Sequence, residues 1–217
     1  MRVIASSVAA FVAVASAQAG LVNPLIPAWA GSANTQSAQW DSFTQASGGA
    51  NLPDAAGSSP FSLFNFAPGA FVTGSGNLYS INTALSIMIM GGTAGNAATP
   101  TQVVMNVATA GSLLNSAGVR LWLFDNLGNS VSVAPASVEV RADAPVPPQG
   151  SAQTLALTWD LSGVSLVASG FRIEMQAAAP SMALDAVRLD LNYNVIPAPG
   201  ALALLLVAGF TAGRRRR

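Results

Sequence analysis

The chain has 217 residues and a formal net charge of zero, and it contains no cysteine, histidine or lysine. These absences exclude Ser-His-Asp, Cys-His and Ser-Lys nucleophiles, Schiff-base lysines, and zinc sites built from His or Cys. Five of the nine arginines lie at the two ends, so residues 20–196 carry four arginines against nine acidic residues, a net charge of −5. A mildly acidic middle without a basic stripe argues against nucleic acid as a partner.

Residues 1–19 have the pattern of a secretory signal peptide. Arg2 gives a basic start, an apolar stretch follows, and Ala17 and Ala19 form an A-x-A cleavage site just before Gly20. We therefore expect export of the chain, with cleavage after Ala19.

Residues 20–60 are rich in Gly, Ala and Ser, which predicts an irregular N-terminal arm or a first strand. Trp29, Trp40 and Phe43 lie within this stretch, and large aromatic side chains favour at least partial packing. The first 19 residues, this arm, an ectodomain over 61–195 and a tail over 196–217 are the predicted divisions of the chain.

The ectodomain consists of short apolar runs separated by turn residues. Alternation with a period of two is clearest at 154–161, 171–176 and 187–194, which indicates antiparallel strands with one buried and one solvated face. On this pattern Asp160, Glu174 and Asp190 belong to the solvated face. Further strands are predicted within 61–66, 78–90, 102–108, 118–124 and 131–140, the last broken by Pro135, with a proline-rich loop at 144–150.

Eight or nine short strands without a helical apolar stripe predict an all-β fold, a sandwich of two antiparallel sheets. We expect jelly-roll topology, with an immunoglobulin-like sandwich as the alternative. The precursor adds a short apolar helix at each end of the chain.

The C-terminal 22 residues have three parts. Ile196, Pro197, Ala198 and Pro199 form a hinge that cannot be helical, a 14-residue apolar stretch follows, and the chain closes on an arginine cluster: Arg214, Arg215, Arg216 and Arg217. A 14-residue helix is about 20 Å long, short of the roughly 30 Å of a bilayer's hydrocarbon core. The arginines stay cytoplasmic during export and act as a stop-transfer signal.

This tail resembles the PEP-CTERM sorting signal, in which a Val-Pro-Glu-Pro motif precedes a short apolar helix and an arginine cluster. Ala198 stands where the family usually has glutamate. The resemblance implies transient insertion into the inner membrane, processing by an exosortase-like membrane enzyme as a partner, and final location at the cell surface or outside the cell. Residues 159–163 and 183–189 also resemble the last strands of jelly-roll domains of the carbohydrate-binding kind.

Two kinds of binding residue are candidates within the ectodomain and its arm. Trp40 and Trp122 are the candidates for stacking on sugar rings, although tryptophan is often simply a core residue. Asp125 and Asp185 are candidates for calcium, and for Asp125 the sequence favours a hairpin turn with Gly128 instead. No cofactor is expected.

The tail resemblance implies a structural or adhesive, non-enzymatic role in an exopolysaccharide layer. The first alternative is a carbohydrate-binding module. The second is a polysaccharide hydrolase, which needs two carboxylates roughly 5 to 10 Å apart. Six acidic residues offer such a pair, but no spacing singles one out: Glu139, Asp143, Asp160, Glu174, Asp185 and Asp190.

Overall fold

The computed structural model describes residues 20–56, 61–93, 98–148 and 150–195. Over these ranges the chain is an all-β sandwich of two antiparallel sheets, as predicted. The predicted terminal helices lie outside the described residues. The strands are β1 (Thr35–Trp40), β2 (Ala55–Ala56), β3 (Phe61–Asn65), β4 (Phe71–Val72), β5 (Leu78–Ser80), β6 (Ser86–Gly92), β7 (Ala98–Gly111), β8 (Arg120–Phe124), β9 (Ser130–Val133), β10 (Ser137–Val146), β11 (Gly150–Asp160), β12 (Gly170–Gln176) and β13 (Met182–Val195), with a 3-10 turn at Ser116–Gly118.

The strand order is that of a jelly roll. Sheet A has the order β10-β11-β7-β13-β1-β2, and β5, which also pairs with β4, joins β13 on the same edge as β1. Sheet B has the order β3-β6-β12-β8-β9. When β1, β6, β7, β8, β9, β11, β12 and β13 are numbered one to eight, the sheets contain 1-8-3-6 and 2-7-4-5. The chain therefore passes repeatedly between the sheets, which is the jelly-roll arrangement.

The core lies between the two sheets and follows the alternation of the sequence. Leu155, Leu157 and Trp159 on β11 point inward, and Trp159 is only 2 % exposed. Ile87 and Ile89 on β6 meet them from sheet B. Burial of large apolar side chains contributes roughly 1.5 to 3 kcal/mol each, so this layer supplies the main favourable term in folding.

Two predicted segments are divided differently in the structure. The apolar stretch at 78–90 forms two strands, β5 in sheet A and β6 in sheet B, because the chain crosses from one sheet to the other between them. The stretch at 131–140 is also two strands, as Pro135 predicted, with β9 in sheet B and β10 in sheet A.

The predicted loop at 144–150 is mostly strand. Strand β10 continues to Val146 and pairs with β11 from Gly150 onward, so that the connection is only a few residues long. Pro145 is tolerated there because β10 is the edge strand of sheet A, where one side of the backbone needs no hydrogen-bonding partner.

Residues 20–34, which we call the strap, lie across the outer face of sheet A before the chain enters β1. The Val22 amide donates to Thr154 Oγ1 on β11 at 3.1 Å. Further along, the Leu25 amide donates to Asn106 Oδ1 on β7 at 2.7 Å, and Asn106 Nδ2 donates back to the Leu25 carbonyl at 3.0 Å. Within the arm predicted over 20–60, residues 20–34 thus cover part of one sheet and Thr35–Trp40 form a strand of it.

Asp190 was predicted on a solvated face, and that prediction is wrong. It does point away from the core, but it is fully buried on the outer face of sheet A, which the strap crosses. Arg188 on the same strand donates to both carboxylate oxygens of Asp190, from Nε at 2.8 Å and from Nη2 at 2.9 Å. The two hydrogen bonds from Arg188 offset the free-energy cost of removing the carboxylate from water. A buried carboxylate without a partner would have no such compensation.

Asp185 is a buried carboxylate of a different kind. It lies at an irregularity in the pairing of β13 with β7, is 7 % exposed, and accepts a hydrogen bond from Asn77 Nδ2 at 2.7 Å. Burial raises the pKa of Asp185 to about 6, from an ordinary value of 3.8. Between these two values the folded chain holds a proton that the unfolded chain has released.

Asp185→Asn should change how stability depends on pH. The folded pKa is raised, so the stabilisation linked to the proton is complete below about pH 4 and is lost as the pH rises through 6. Asparagine keeps the acceptor for Asn77 without a charge, so the variant should gain up to about 3 kcal/mol on wild type between pH 4 and pH 7. Urea denaturation at both pH values measures this difference.

Asp190→Asn is the matched control on the same strand. It breaks the pair with Arg188 and should destabilise the protein at pH 7. A constant difference between Asp185→Asn and wild type across this pH range would contradict the assigned burial of the Asp185 charge.

Candidate functional site

The outer face of sheet B is the candidate site. Alternation on its strands turns Ile and Leu inward, and it turns a second set of large side chains toward solvent. We call this set the open face: Ser62 and Phe64 from β3, Met88 and Met90 from β6, Arg172 and Glu174 from β12, and Arg120, Trp122 and Phe124 from β8. A strand that is apolar on both faces, such as β6, belongs where a second layer or a partner covers it.

The register of β12 and β8 brings Trp122 directly opposite Arg172 and Phe124 opposite Gly170. The Arg172 guanidinium lies over both rings, with Cζ 5.4 Å from the Trp122 centroid and 5.3 Å from the Phe124 centroid. A cation in this position is attracted by the negative ring faces, by roughly 0.5 to 1 kcal/mol at an exposed site.

Glu174 connects the tryptophan and the arginine. Trp122 Nε1 donates to Glu174 Oε2 at 3.0 Å, and Arg172 Nε forms an ion pair with Glu174 Oε1 at 2.9 Å. The side chains of this ion pair are 31 % and 45 % exposed, so it contributes about 1 kcal/mol or less to stability. Together with the hydrogen bond from Trp122, the ion pair acts mainly on geometry. It orients the indole before any ligand binds, which lowers the entropy cost of binding.

Two depressions lie on the open face. One, of about 320 Å³, is bordered by Phe64, Met90 and Phe124, and Gly91 and Gly170 form part of its lining. It exists because Gly170 has no side chain to fill the space beside Phe124. The other, of about 370 Å³, is lined by Met88, Glu174 and Gln176 among others and has more polar walls. The face therefore offers aromatic surfaces and hydrogen-bonding groups side by side.

The structure separates the two tryptophans proposed for sugar stacking. Trp122 is half-buried on the open face, whereas Leu121 and Leu123 point into the core. Trp40 is fully buried, and its Nε1 donates to the Asn51 carbonyl at 3.0 Å. The assignment of Trp40 to a sugar platform is wrong, because a ring enclosed by the core has no free face.

Both carboxylate oxygens of Asp125 accept hydrogen bonds within the turn between β8 and β9. Its Oδ1 accepts the amides of Leu127 and Asn129 at 2.9 and 2.8 Å, and its Oδ2 accepts Asn129 Nδ2 at 2.7 Å. The Asn129 side chain, followed by the backbone amides, holds the pKa of Asp125 below its usual value. Gly128 has a φ of +85°, as the turn requires. Within the described part of the chain, neither Asp125 nor Asp185 belongs to a group of three or more acidic, His or Cys residues placed to hold a metal ion.

The remaining carboxylates are dispersed over sheet A, and Glu174 is the acidic residue of the predicted set that lies on sheet B. Each has a protein partner of its own: Glu139 pairs with Arg141, Asp143 accepts from Ser151, and Asp160 accepts the amide of Ser162 at 3.0 Å. These carboxylates therefore lie at separate positions with separate protein partners.

Sequence reasoning missed Phe64, Met88, Met90 and Phe124, which share the open face with Trp122 and Arg172. The signal was present in β6, where Ile87 and Ile89 alternate with methionine rather than with polar residues. A strand without a polar face indicates that both of its sides meet apolar material.

The sorting and cleavage residues fall largely outside the described residues. Ala17, Ala19 and the whole tail from Ile196 to Arg217 are not among them, whereas Gly20 is the first residue that the structure describes. Within the described ranges, no helix has the length and apolar character needed to cross a bilayer.

Searches with models of known protein families and against curated proteins find no match to this chain.

Proposed function

We propose that this is an exported, non-catalytic surface protein that acts as a structural or adhesive component of an exopolysaccharide layer. Its tail delivers it to an exosortase-like enzyme of the inner membrane, and the open face of sheet B contacts the polymer. The observation that carries this proposal is the contrast between the two sheets. The strap lies across the outer face of sheet A, whereas sheet B presents aromatic and charged side chains to solvent.

The chemistry of the open face suits a neutral or weakly charged glycan. Sugar rings have apolar faces that stack on aromatic side chains and hydroxyl groups that hydrogen-bond to charged ones. Trp122 and Phe124 provide the aromatic surfaces, and Glu174 provides a carboxylate that is 45 % exposed. Met90 borders the adjacent depression and is 39 % exposed. A binding role needs no nucleophile, which agrees with a chain that has no His, Cys or Lys.

A carbohydrate-binding module with a defined oligosaccharide ligand is the second candidate. The pre-oriented indole of Trp122 favours it, because a ring fixed by Glu174 and Arg172 is suited to one ligand geometry. The two candidates differ in selectivity: a module recognises a particular oligosaccharide, whereas an adhesive component binds the polymer through many weak contacts.

Trp122→Ala should weaken binding to the exopolysaccharide of the producing cell at least about tenfold, because tryptophans central to an interface contribute 2 kcal/mol or more. Affinity electrophoresis in gels containing the polymer measures this change. The control is Phe71→Ala, which removes an aromatic ring that is 42 % exposed and belongs to sheet A. If the polymer gel retards Trp122→Ala and Phe71→Ala equally, the open face is not the surface that binds the polymer.

A glycan array with the same proteins separates the two candidates. Binding to one class of oligosaccharide, lost in Trp122→Ala, identifies a module. No binding to any glycan at millimolar concentration removes the module and leaves the adhesive role.

The tail makes its own prediction. Mass spectrometry of the protein from the producing cell should show a chain that begins at Gly20 and lacks Arg214 to Arg217. Replacing these four arginines by serine should cause misrouting or release of unprocessed protein, because the stop-transfer charge is gone. A mature chain with an intact C-terminus would rule out sorting by this tail.

A further inference from the structure

The outer face of sheet A contains a built site for an extended peptide. Asn106 is fully buried in the middle of β7, and both ends of its amide bind the main chain of Leu25. Thr154, which is 2 % exposed, accepts the amide of Val22. Small side chains line the same face around Asn106: Ala108, Ala156 and Ala186 are each 4 % exposed or less. We call this site the strap groove.

The strap groove recognises the backbone of its occupant more than its side chains. Val22 and Leu25 are bound through main-chain atoms, and Arg141 Nε donates to the Asn23 carbonyl at 3.1 Å. Recognition of this kind is how an added strand or extended segment gains affinity on an existing sheet. The large side chains of Val22 and Ile26 contribute less, since they are 60 % and 49 % exposed.

The strap also has part-buried apolar residues, Leu21, Leu25 and Trp29 among them, so that hydrogen bonds and apolar contacts together hold it on sheet A. The connection to β1 is suited to a change in the direction of the strap. Residues 31–34 are exposed, and Gly31 has a φ of +80°, a conformation that suits a turn. A released strap leaves Asn106 and Thr154 without their partners, and burial makes those unpaired groups costly.

We propose that the strap groove is an exchange site, in which the strap of one copy of this protein binds sheet A of another. Every copy has the same strap and the same groove, so the intermolecular arrangement forms the same hydrogen bonds as the intramolecular one. Exchange of an identical element is a low-cost route to assembly, and a head-to-tail contact of this kind extends into chains when its rotation does not close a ring.

The local concentration of the protein determines whether a strap binds its own sheet A or that of another copy. A tethered strap has an effective concentration in the millimolar range, so its own groove retains it in dilute solution. Exchange becomes competitive when copies are crowded at comparable concentration. This inference is independent of glycan binding, because the strap groove and the open face lie on opposite sides of the sandwich.

A chain without native cysteine permits a direct test by thiol cross-linking. One full-length copy carries Val22→Cys, an exposed strap position, and a second, differently tagged copy carries Glu139→Cys. Glu139 Oε2 lies 3.1 Å from Arg141 Nη1, and Arg141 contacts Asn23, so the two thiols lie within reach of a short bismaleimide only when the strap occupies the groove.

Mixing the two copies at millimolar concentration should give a cross-linked heterodimer at least about tenfold above the background of a Leu127→Cys and Glu139→Cys mixture. Leu127 is a suitable reference because it is 87 % exposed and lies in the turn on sheet B. Adding Asn106→Leu to the Glu139→Cys copy should reduce the heterodimer about tenfold, since it removes both hydrogen bonds to Leu25.

A single chain with Val22→Cys and Glu139→Cys verifies that the strap is seated, because at low concentration it should cross-link internally. Internal cross-linking together with no heterodimer above the Leu127 background would overturn exchange. Failure of the internal cross-link would overturn the strap groove itself.

Discussion

The side chain of Asn106 stands in the middle of an apolar strand, and the main chain of Leu25 satisfies both ends of its amide. A buried amide without hydrogen-bonding partners at this position would destabilise the fold by about 1 to 3 kcal/mol. The strap therefore stabilises sheet A, and sheet A in turn holds the strap in place. The same face contains the buried pair of Arg188 and Asp190, whose carboxylate is fully enclosed. Asn106, Arg188 and Asp190 thus have hydrogen-bonding partners within the chain.

Sheet B has no such cover among the described residues, and its outer side chains contact one another instead. Glu174 fixes Trp122 and Arg172, and Arg172 lies against Phe124, so that an aromatic and charged surface is prepared in advance. This division of labour links the fold to the proposed function. The strap side is suited to contacts between copies, and the open face is suited to contacts with polymer, so the two sides together suit a protein embedded in a surface layer.

The sequence predicted the fold well because alternation is a local signal. Strands such as β11, β12 and β13 reveal their inner faces residue by residue, and their number and turns indicated a sandwich. Long-range coverage has no such signal: Asp190 alternates with leucine as a solvated residue would, yet it is buried on the outer face of sheet A.

The sequence predicted only part of the candidate site, because contacts between distant segments leave no local signal. Trp122 was identified correctly as a residue off the alternation of Leu121 and Leu123, but Trp40 belongs to a strand that the jelly roll places inside sheet A, and that position depends on topology. The partners of Trp122 come from neighbouring strands, β12 across the register and β6 beyond it. Such neighbours are set by pairing between distant segments, which composition and periodicity do not specify.

Hydroxyl-radical footprinting of the full chain, with and without the exopolysaccharide of the producing cell, tests the central claim most directly. Without polymer, Met90 and Trp122 should oxidise readily, whereas the enclosed rings of Trp40 and Trp159 should be protected. With polymer, protection should appear at Met88, Met90 and Trp122 and leave Leu127 unchanged. Oxidation of the open face that is unaffected by the polymer would contradict the account.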